Sequence, residues 1–452
     1  MSITGHPTVP GLGGVHPDAA ALYARDVEAV AGIEKLRFFP LAVVAGHGCW
    51  LTEAGGRQLL DLTSTWTAAG LGHGHPRITE AVTRALQAPA GAGGLSAVHP
   101  DSAGLAEELL ALVPGSGDRR VYLGHAGSDA NDVVLRAVRH ATERRRVVAF
   151  AHSYHGGIGQ AMAASGVHVD AGSVAPDPNV TFVGYPNPYR TAGPDPEGAS
   201  AAASLAEVEA ALAPGDAACV IVEPILSDGG LIVPPSGYLA SLAVLCRRHG
   251  VLLVCDEVKV GLGRPGILHA FQLDGIEPDL VTFGKVLGGG LPLSAAVGPA
   301  AVLDGPPAAA LLTTAGNPVC AAAGREVLRV IVEEELAERS RLSGERLRQG
   351  LRDLDLPAVG DVRGHGLAIG VELVADRQTK APAPRLAAQV VYRAFELGAV
   401  VYYVGGNVLE VTPPMVITDE EVDRAVEVLG QAISDASAGL VDDARVAAYA
   451  GW

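Results

Sequence analysis

The chain has 452 residues, of which 48% are apolar and 18% charged, and its formal net charge is −17. That length admits about three average domains, or one large and one smaller domain of an α/β enzyme, and the apolar share marks a folded chain rather than a disordered one. The negative charge, with no run of Lys or Arg and no long uncharged apolar stretch, excludes a nucleic-acid surface, an anionic-membrane surface and a membrane span.

The first residues, MSITGHPTVPGLGG, have neither the basic start nor the apolar middle of a secretory signal, so the expected compartment is the cytoplasm. Cys49, Cys219, Cys246, Cys255 and Cys320 show no CxxC spacing. They read as small buried hydrophobes rather than a disulfide framework or a zinc site, and no metal centre is expected.

From about residue 120 to 300, short β-rich runs alternate with helical stretches: RRVYLG, a helix from Asp129, VVAFA, a helix, NVTFVGYP, a helix, CVIVEPI, a helix, VLLVCDEV and LVTFG. Such alternation predicts a mostly parallel sheet joined by crossover helices, with ligands bound beyond the strand C-termini. After Gly316-Asn317-Pro318, apolar Val327, Val330, Ile331 and Leu336 recur at helical spacing and predict one long helix bridging to a second domain. The remainder predicts a small α/β domain: AVGDVRGHGLAIGVELV as strand, a helix over 384–397, strands in GAVVYYV and NVLEVTPPMVI, and a helix opened by Thr418. Segments 164–215 and 372–386 read as surface loops.

Two residues at the ends of apolar runs carry the strongest chemical signal. VLLVCDEV ends on Asp256, and LVTFGK ends on Lys285, 29 positions later. An aspartate facing a pyridinium nitrogen keeps it protonated and a lysine forms an imine with a cofactor aldehyde, so the pair can build an electron sink. Taken singly, each has a plainer reading, as a helix cap or a solvated strand end. In GHAGSDAN, Gly127 and Ser128 stand between strand and helix, where backbone N–H groups suit a phosphate; an ordinary N-cap by Ser128 or Asp129 is the alternative. In SYHGG, Tyr154 follows a strand, where its ring can stack on a flat heterocycle or pack as core.

These motifs, together with LLDLTS and GLGHGHP (59–76), VEPILSDGG (222–230), DEVKVGLGRPG (256–266), FGKVLGGGLPLSA (283–295), TTAGNP (313–318), VRGHGL and PPMVI, resemble the class III aminotransferases over nearly the whole chain. Within them, GSDAN, SDGG, TTAGNPVC, GDVR and the final GW are similar to a bacterial isoleucine 2-epimerase type. The resemblance implies the type I fold of pyridoxal 5'-phosphate enzymes. Residues 1–60 would pack with the small domain, 61–320 form the large cofactor-binding domain, and 321–452 form the small domain. It implies Lys285 as the Schiff-base lysine, Asp256 as the pyridinium partner, Val258 beneath the ring, Tyr154 stacked on it, and Gly127 and Ser128 at the phosphate. Thr313 would reach the phosphate of a neighbouring subunit, in a homodimer or dimer of dimers with sites at the interface. Glu223, His155 and Arg264 match support positions near the cofactor. The implied reaction is transfer of an amino group from an amine or amino acid to a keto acid, aldehyde or ketone. Intact Lys285 and Asp256 argue against a catalytically silent scaffold.

Three features depart from the pattern. Members that handle amino acids carry N-x-L-R near the chain end, where the arginine grips a carboxylate; here the run is Asn407-Val-Leu-Glu410. A glutamate in the pocket repels a carboxylate and favours plain amines, unless Glu410 turns to solvent. Asp228 in SDGG stands where the epimerase-like relatives also have Asp, which supports the alternative of 2-epimerisation or racemisation with Lys285 and Asp228 on opposite faces, or else a turn residue. Lys259 replaces a common Gln, and strand alternation predicts an exposed or interface ion pair for it. Phe38, Phe39, Trp66 and Tyr154 cluster as aromatic pocket residues or, individually, as core.

Overall fold

The computed structural model describes residues 15–88 and 91–449, so the opening segment 1–14 and the terminal Gly451-Trp452 pair lie outside the described residues. Its largest element is a seven-stranded sheet, ordered Arg119–Gly124, Ser294–Pro299, Leu280–Phe283, Leu252–Asp256, Ala217–Val222, Arg146–Phe150 and Val180–Val183. Only Ser294–Pro299 runs antiparallel to its neighbours.

The near-continuous apolar strands follow from helices on both sides. Val148, Phe150, Val220, Val222, Leu253 and Cys255 face one buried cluster, while Val147, Ala149, Cys219, Ile221 and Val254 face another. The cysteines fit this packing: none is paired, and four of the five are buried. Among the described residues no group of His, Cys, Asp and Glu could hold a metal ion, and no helix is long and apolar enough to cross a membrane.

A second sheet joins Val359–His365, Ala368–Asp376, Val408–Val411 and Tyr402–Val404, all antiparallel. Helix Asp419–Ser437 opens with the Thr418/Glu421 capping box and buries Val422, Leu429 and Ile433 beneath it. A third sheet is made from distant parts of the chain. The meander Val43–His47, Trp50–Glu53 and Gln58–Asp61 gains Ala399–Val400 as a parallel fourth strand.

Three local expectations need correction, the first being the supposed loop 372–386: its start, with buried Leu373 and Val374, belongs to strand Ala368–Asp376, and its end to helix Pro384–Glu396. The predicted long helix is two, Pro318–Glu333 and Leu336–Asp353, broken where Glu335 takes a left-handed φ of 50°. Val327, Val330 and Ile331 belong to the core of the large sheet, so the chain leaves that core only after this first helix. The supposed loop 164–215 contains the 17-residue helix Pro196–Leu212, capped by Asp195 and burying Val208 and Leu212. Its alanines, read as loop composition, are the strongest helix formers.

The second of those helices rests on the turn between Val359–His365 and Ala368–Asp376 at a point where only glycine fits: a Cβ on Gly344 would run into the Gly366 carbonyl. Gly344→Ala should therefore destabilise the protein by about 1–3 kcal/mol through overpacking. The check is the midpoint of thermal unfolding, and an unmoved midpoint would show that the helix has room to shift.

Candidate active site

Four strand ends converge. The chain following Arg146–Phe150, Ala217–Val222, Leu252–Asp256 and Leu280–Phe283 supplies Tyr154, Glu223, Asp256 and Lys285 at one edge of the sheet. Parallel strands gather such residues because their C-termini open on a common crevice. All four line a cavity of about 350 Å³, together with Gly127, Ser128, Asp228, Val258 and Lys259.

Asp256 is buried and hydrogen-bonded through both oxygens. Its Oδ2 accepts from Asn131 Nδ2 at 2.7 Å and lies 2.8 Å from His155 Nδ1, while Oδ1 accepts from the Val258 N–H at 3.0 Å. Thr282, its cross-strand partner, donates its hydroxyl to Asn131 Oδ1 at 2.7 Å. A carboxylate this deep persists only with such partners. The far ring nitrogen of His155 is buried without a hydrogen-bond partner among the described residues.

Lys285 sits one residue past Gly284, in a left-handed conformation with φ 48°. Among the described residues nothing hydrogen-bonds its ammonium. Burial, and after it the charge of Lys259, draws its pKa down to about 8. Glu223 accepts from the Tyr154 N–H at 2.9 Å and from the Ser227 N–H and hydroxyl at 3.1 and 2.7 Å. Burial, and the nearby carboxylates of Asp256 and Asp228, push it up to about 7 against the pull of His155.

The helix Gly127–Thr142 starts at the cavity rim, two residues earlier than expected. Asp129 does not cap it from outside; its carboxylate takes the N–H groups of His125 and Ala126 and the Ser294 hydroxyl. The N–H groups of Gly127 and Ser128 meet no acceptor among the described residues. Gly127 is required there because a Cβ would overlap the Val258 side chain.

Lys259 departs from its expected place. The strand ends at Asp256, so alternation no longer applies, and Lys259 turns inward, only 6% exposed. Its Nζ donates to Asp228 Oδ1 at 2.5 Å and to Glu410 Oε2 at 2.9 Å, and stands 5.1 Å from the Trp66 ring centroid. Burial alone would lower Lys259 and raise Asp228. Their mutual attraction outweighs it and holds Lys259 above and Asp228 below their ordinary ranges. Glu410 is 1% exposed and faces this ammonium, so the solvent-facing alternative is excluded.

Trp66 reaches Lys259 from a turn with no glycine. Ser64, Thr65, Trp66 and Thr67 all have left-handed φ values, from 49° to 68°, a conformation costing roughly 1–2 kcal/mol per residue. The turn is held by Thr63, whose N–H and hydroxyl donate to Asp61, and by the Ser64 hydroxyl donating to the Thr412 carbonyl at 2.6 Å. Trp66 stacks on Tyr402 at 4.7 Å between centroids, and Phe38 stacks on the same ring. Phe39, expected in the pocket, is instead core: it is 2% exposed and stacks on Phe395 at 4.7 Å. Thr313 is exposed and is not among the residues that line this cavity. Arg264 is wholly buried, donating to the carbonyls of Leu367 and Pro413. Asn131 and Lys259 were missed as site residues, although both lie inside quoted motifs, GSDAN and DEVK.

A parallel sheet that collects an anchored aspartate, an unpartnered lysine and a helix N-terminus around one cavity defines a cofactor-dependent group-transfer enzyme. The chain belongs to the class-III aminotransferases, whose family model matches residues 33–433. It is 36% identical over 430 residues to isoleucine 2-epimerase of Lentilactobacillus buchneri, covering 92% of this chain and 95% of that protein. It is 37% identical over 405 residues to acetylornithine aminotransferase of Mycobacterium bovis, covering 88% and 93%. The omega transaminase from Pseudomonas jessenii, solved in complex with PMP, superposes with a TM-score of 0.86 at 28% identity, covering 92% of this chain and 98% of that one.

The raised pKa of Glu223 has a measurable consequence. With a folded value of about 7 against an ordinary 4.5, its contribution to stability is complete below the lower value and is lost as pH rises through 7. The thermal midpoint of the wild type should fall relative to Glu223→Gln as pH is raised across that interval. A difference that stays flat would mean that Glu223 is already ionised at the acid end.

Proposed function

We propose that this chain is a pyridoxal-phosphate aminotransferase that moves an amino group from an amine to a keto acid, aldehyde or ketone. The observation that carries the reading is the pairing of adjacent strands, which supports Asp256 and Lys285 acting together in one cavity. The donor set suits the cofactor: an engaged carboxylate, an unpartnered lysine amine and two open N–H groups at a helix start.

In this reading Lys285 would hold the cofactor covalently, Gly127 and Ser128 would receive its phosphate, and Val258 and Tyr154 would lie beside its ring. Bound pyridoxal phosphate supplies an electron-withdrawing ring that stabilises charge at the donor carbon as it loses its proton. Asp256, oriented by Asn131 and His155, holds a proton on the ring nitrogen. Freed when the donor amine takes its place, the Lys285 amine, with its pKa near 8, would take the proton from the donor carbon as a general base and deliver it onward as the conjugate acid. Glu223 fixes the backbone of Tyr154. The exposed Thr313 fits a role in a second copy's site, which supports a homodimer or dimer of dimers as the working unit, and free cysteines fit a cytoplasmic protein.

A second reading, 2-epimerisation of an amino acid, is favoured by one observation: Asp228 lines the same cavity as Lys285, and each feels the other's charge. A two-sided proton exchange needs such a second group. Keto-acid dependence separates the two. The purified holoenzyme is given amines with and without pyruvate, and L- or D-isoleucine alone; amino transfer requires the keto acid, whereas inversion of isoleucine without one would establish the second reading.

Lys285→Ala should abolish both the cofactor-linked absorbance and turnover, and full activity would overturn the mechanism. Asp256→Asn should retain the fold but lose about 100-fold or more in kcat, the scale of removing one preorganised electrostatic partner. A near-normal rate would remove Asp256 from this role.

A further inference from the structure

The cluster of Lys259, Asp228 and Glu410 is not used in the mechanism above. All three are buried, and they come from three separate places: the segment after Leu252–Asp256, the turn after Ala217–Val222, and strand Val408–Val411 of the small sheet. Lys259 and Lys285 are the only lysines on the described cavity wall, which has no arginine. Lys285 is committed to the chemistry. Among the described residues of this wall Lys259 is therefore the one remaining lysine or arginine able to seat a donor's carboxylate, and two carboxylates of the protein already hold it. The second oxygen of Asp228 has no hydrogen-bond partner among the described residues. Among its described residues this wall thus presents a base and no open lysine or arginine to the donor.

We propose that Lys259 is the specificity-determining residue of the cavity: with its ammonium occupied by Asp228 and Glu410, it turns away donors that bear a carboxylate on the amine carbon, and removing Glu410 makes it a carboxylate seat. The inference rests on the amino-transfer reading. Two negative charges against one positive leave the cluster anionic, so an incoming carboxylate meets repulsion as well as an occupied partner. The Trp66 ring over Nζ hinders reorientation of the ammonium. The groups facing the cluster from its surroundings are Lys285, His168, Glu223 and Tyr154 around Asp228, and Arg264 and Tyr402 around Glu410. Arg264 does not substitute for Lys259, because two backbone carbonyls hold its guanidinium outside the cavity wall.

The test compares 1-phenylethylamine with phenylglycine, which differ only in methyl against carboxylate, using pyruvate as acceptor. Wild-type holoenzyme should favour the amine in kcat/KM. Glu410→Gln should shift the ratio towards phenylglycine by about tenfold or more, mainly through KM. Lys259→Arg should keep the wild-type preference, and Lys259→Met combined with Glu410→Gln should lose the gain. As a readout apart from turnover, phenylacetate should bind the cofactor-free Glu410→Gln protein about tenfold or more tighter than the cofactor-free wild type by calorimetry. An unmoved donor ratio in a folded, active Glu410→Gln enzyme overturns the inference, and so does a gain that survives loss of Lys259. Absence of wild-type transfer with any amine and keto acid would instead sink the amino-transfer reading, while the phenylacetate measurement would still decide on Lys259.

Discussion

The structure depends on satisfying the carboxylate of Asp256 at the end of a buried strand. Such a group is tolerated only where each lone pair finds a donor. The donors here come from a helix (Asn131), a loop (His155) and the backbone two residues on (Val258), with Thr282 of the next strand holding Asn131 in place. Each belongs to an element that must already be packed. The order of strands and the start of helix Gly127–Thr142 therefore follow from the same requirement that orients the carboxylate towards the cavity. The site is rigid because its central charge has no other way of being buried.

That chain of requirements explains what could be read from the sequence. Strand runs such as CVIVEPI and VLLVCDEV are apolar because both sheet faces are covered, and their polar ends are where chemistry collects. So Glu223, Asp256 and Lys285 were visible as residues that break apolar runs. Lys259 was not, because its environment comes from Asp228 and Glu410, 31 and 151 positions away. Periodicity describes one element at a time, and the strand had ended three residues earlier. The left-handed turn at 64–67 was equally hidden: Thr and Trp give no local signal for positive φ, and hydrogen bonds such as those from Thr63 to Asp61 and from Ser64 to the distant Thr412 hold it. Helix Pro196–Leu212 drew two opposite readings: the alternation of strands and helices expects a helix between NVTFVGYP and CVIVEPI, while an Ala-rich stretch between Pro- and Gly-rich neighbours looks like loop by composition.

The segment 256–266 joins these two kinds of information. Asp256 ends the strand, Val258 packs on Gly127, Lys259 pairs with Glu410 of the small sheet, and Arg264 donates to the carbonyls of Leu367 and Pro413. Within eleven residues the chain passes from the centre of the large sheet to the structure carrying the small one. Arg264 is held by backbone carbonyls, and burial lowers its pKa only to about 10, so it stays charged at neutral pH.

It follows that the small sheet is tied to the cavity by ionic contacts that cannot be broken cheaply. Separating Val408–Val411 from the large sheet would strand Glu410 and leave Lys259 with Asp228 alone, and removing one partner of a buried pair costs about 3–5 kcal/mol. Apolar packing between the two sheets could slide by a fraction of a contact with little loss, but an ammonium shared between two carboxylates has one favourable position. The pair at Glu410 thus sets the relative placement of the sheets as well as the charge of the wall, and any substitution there acts on both.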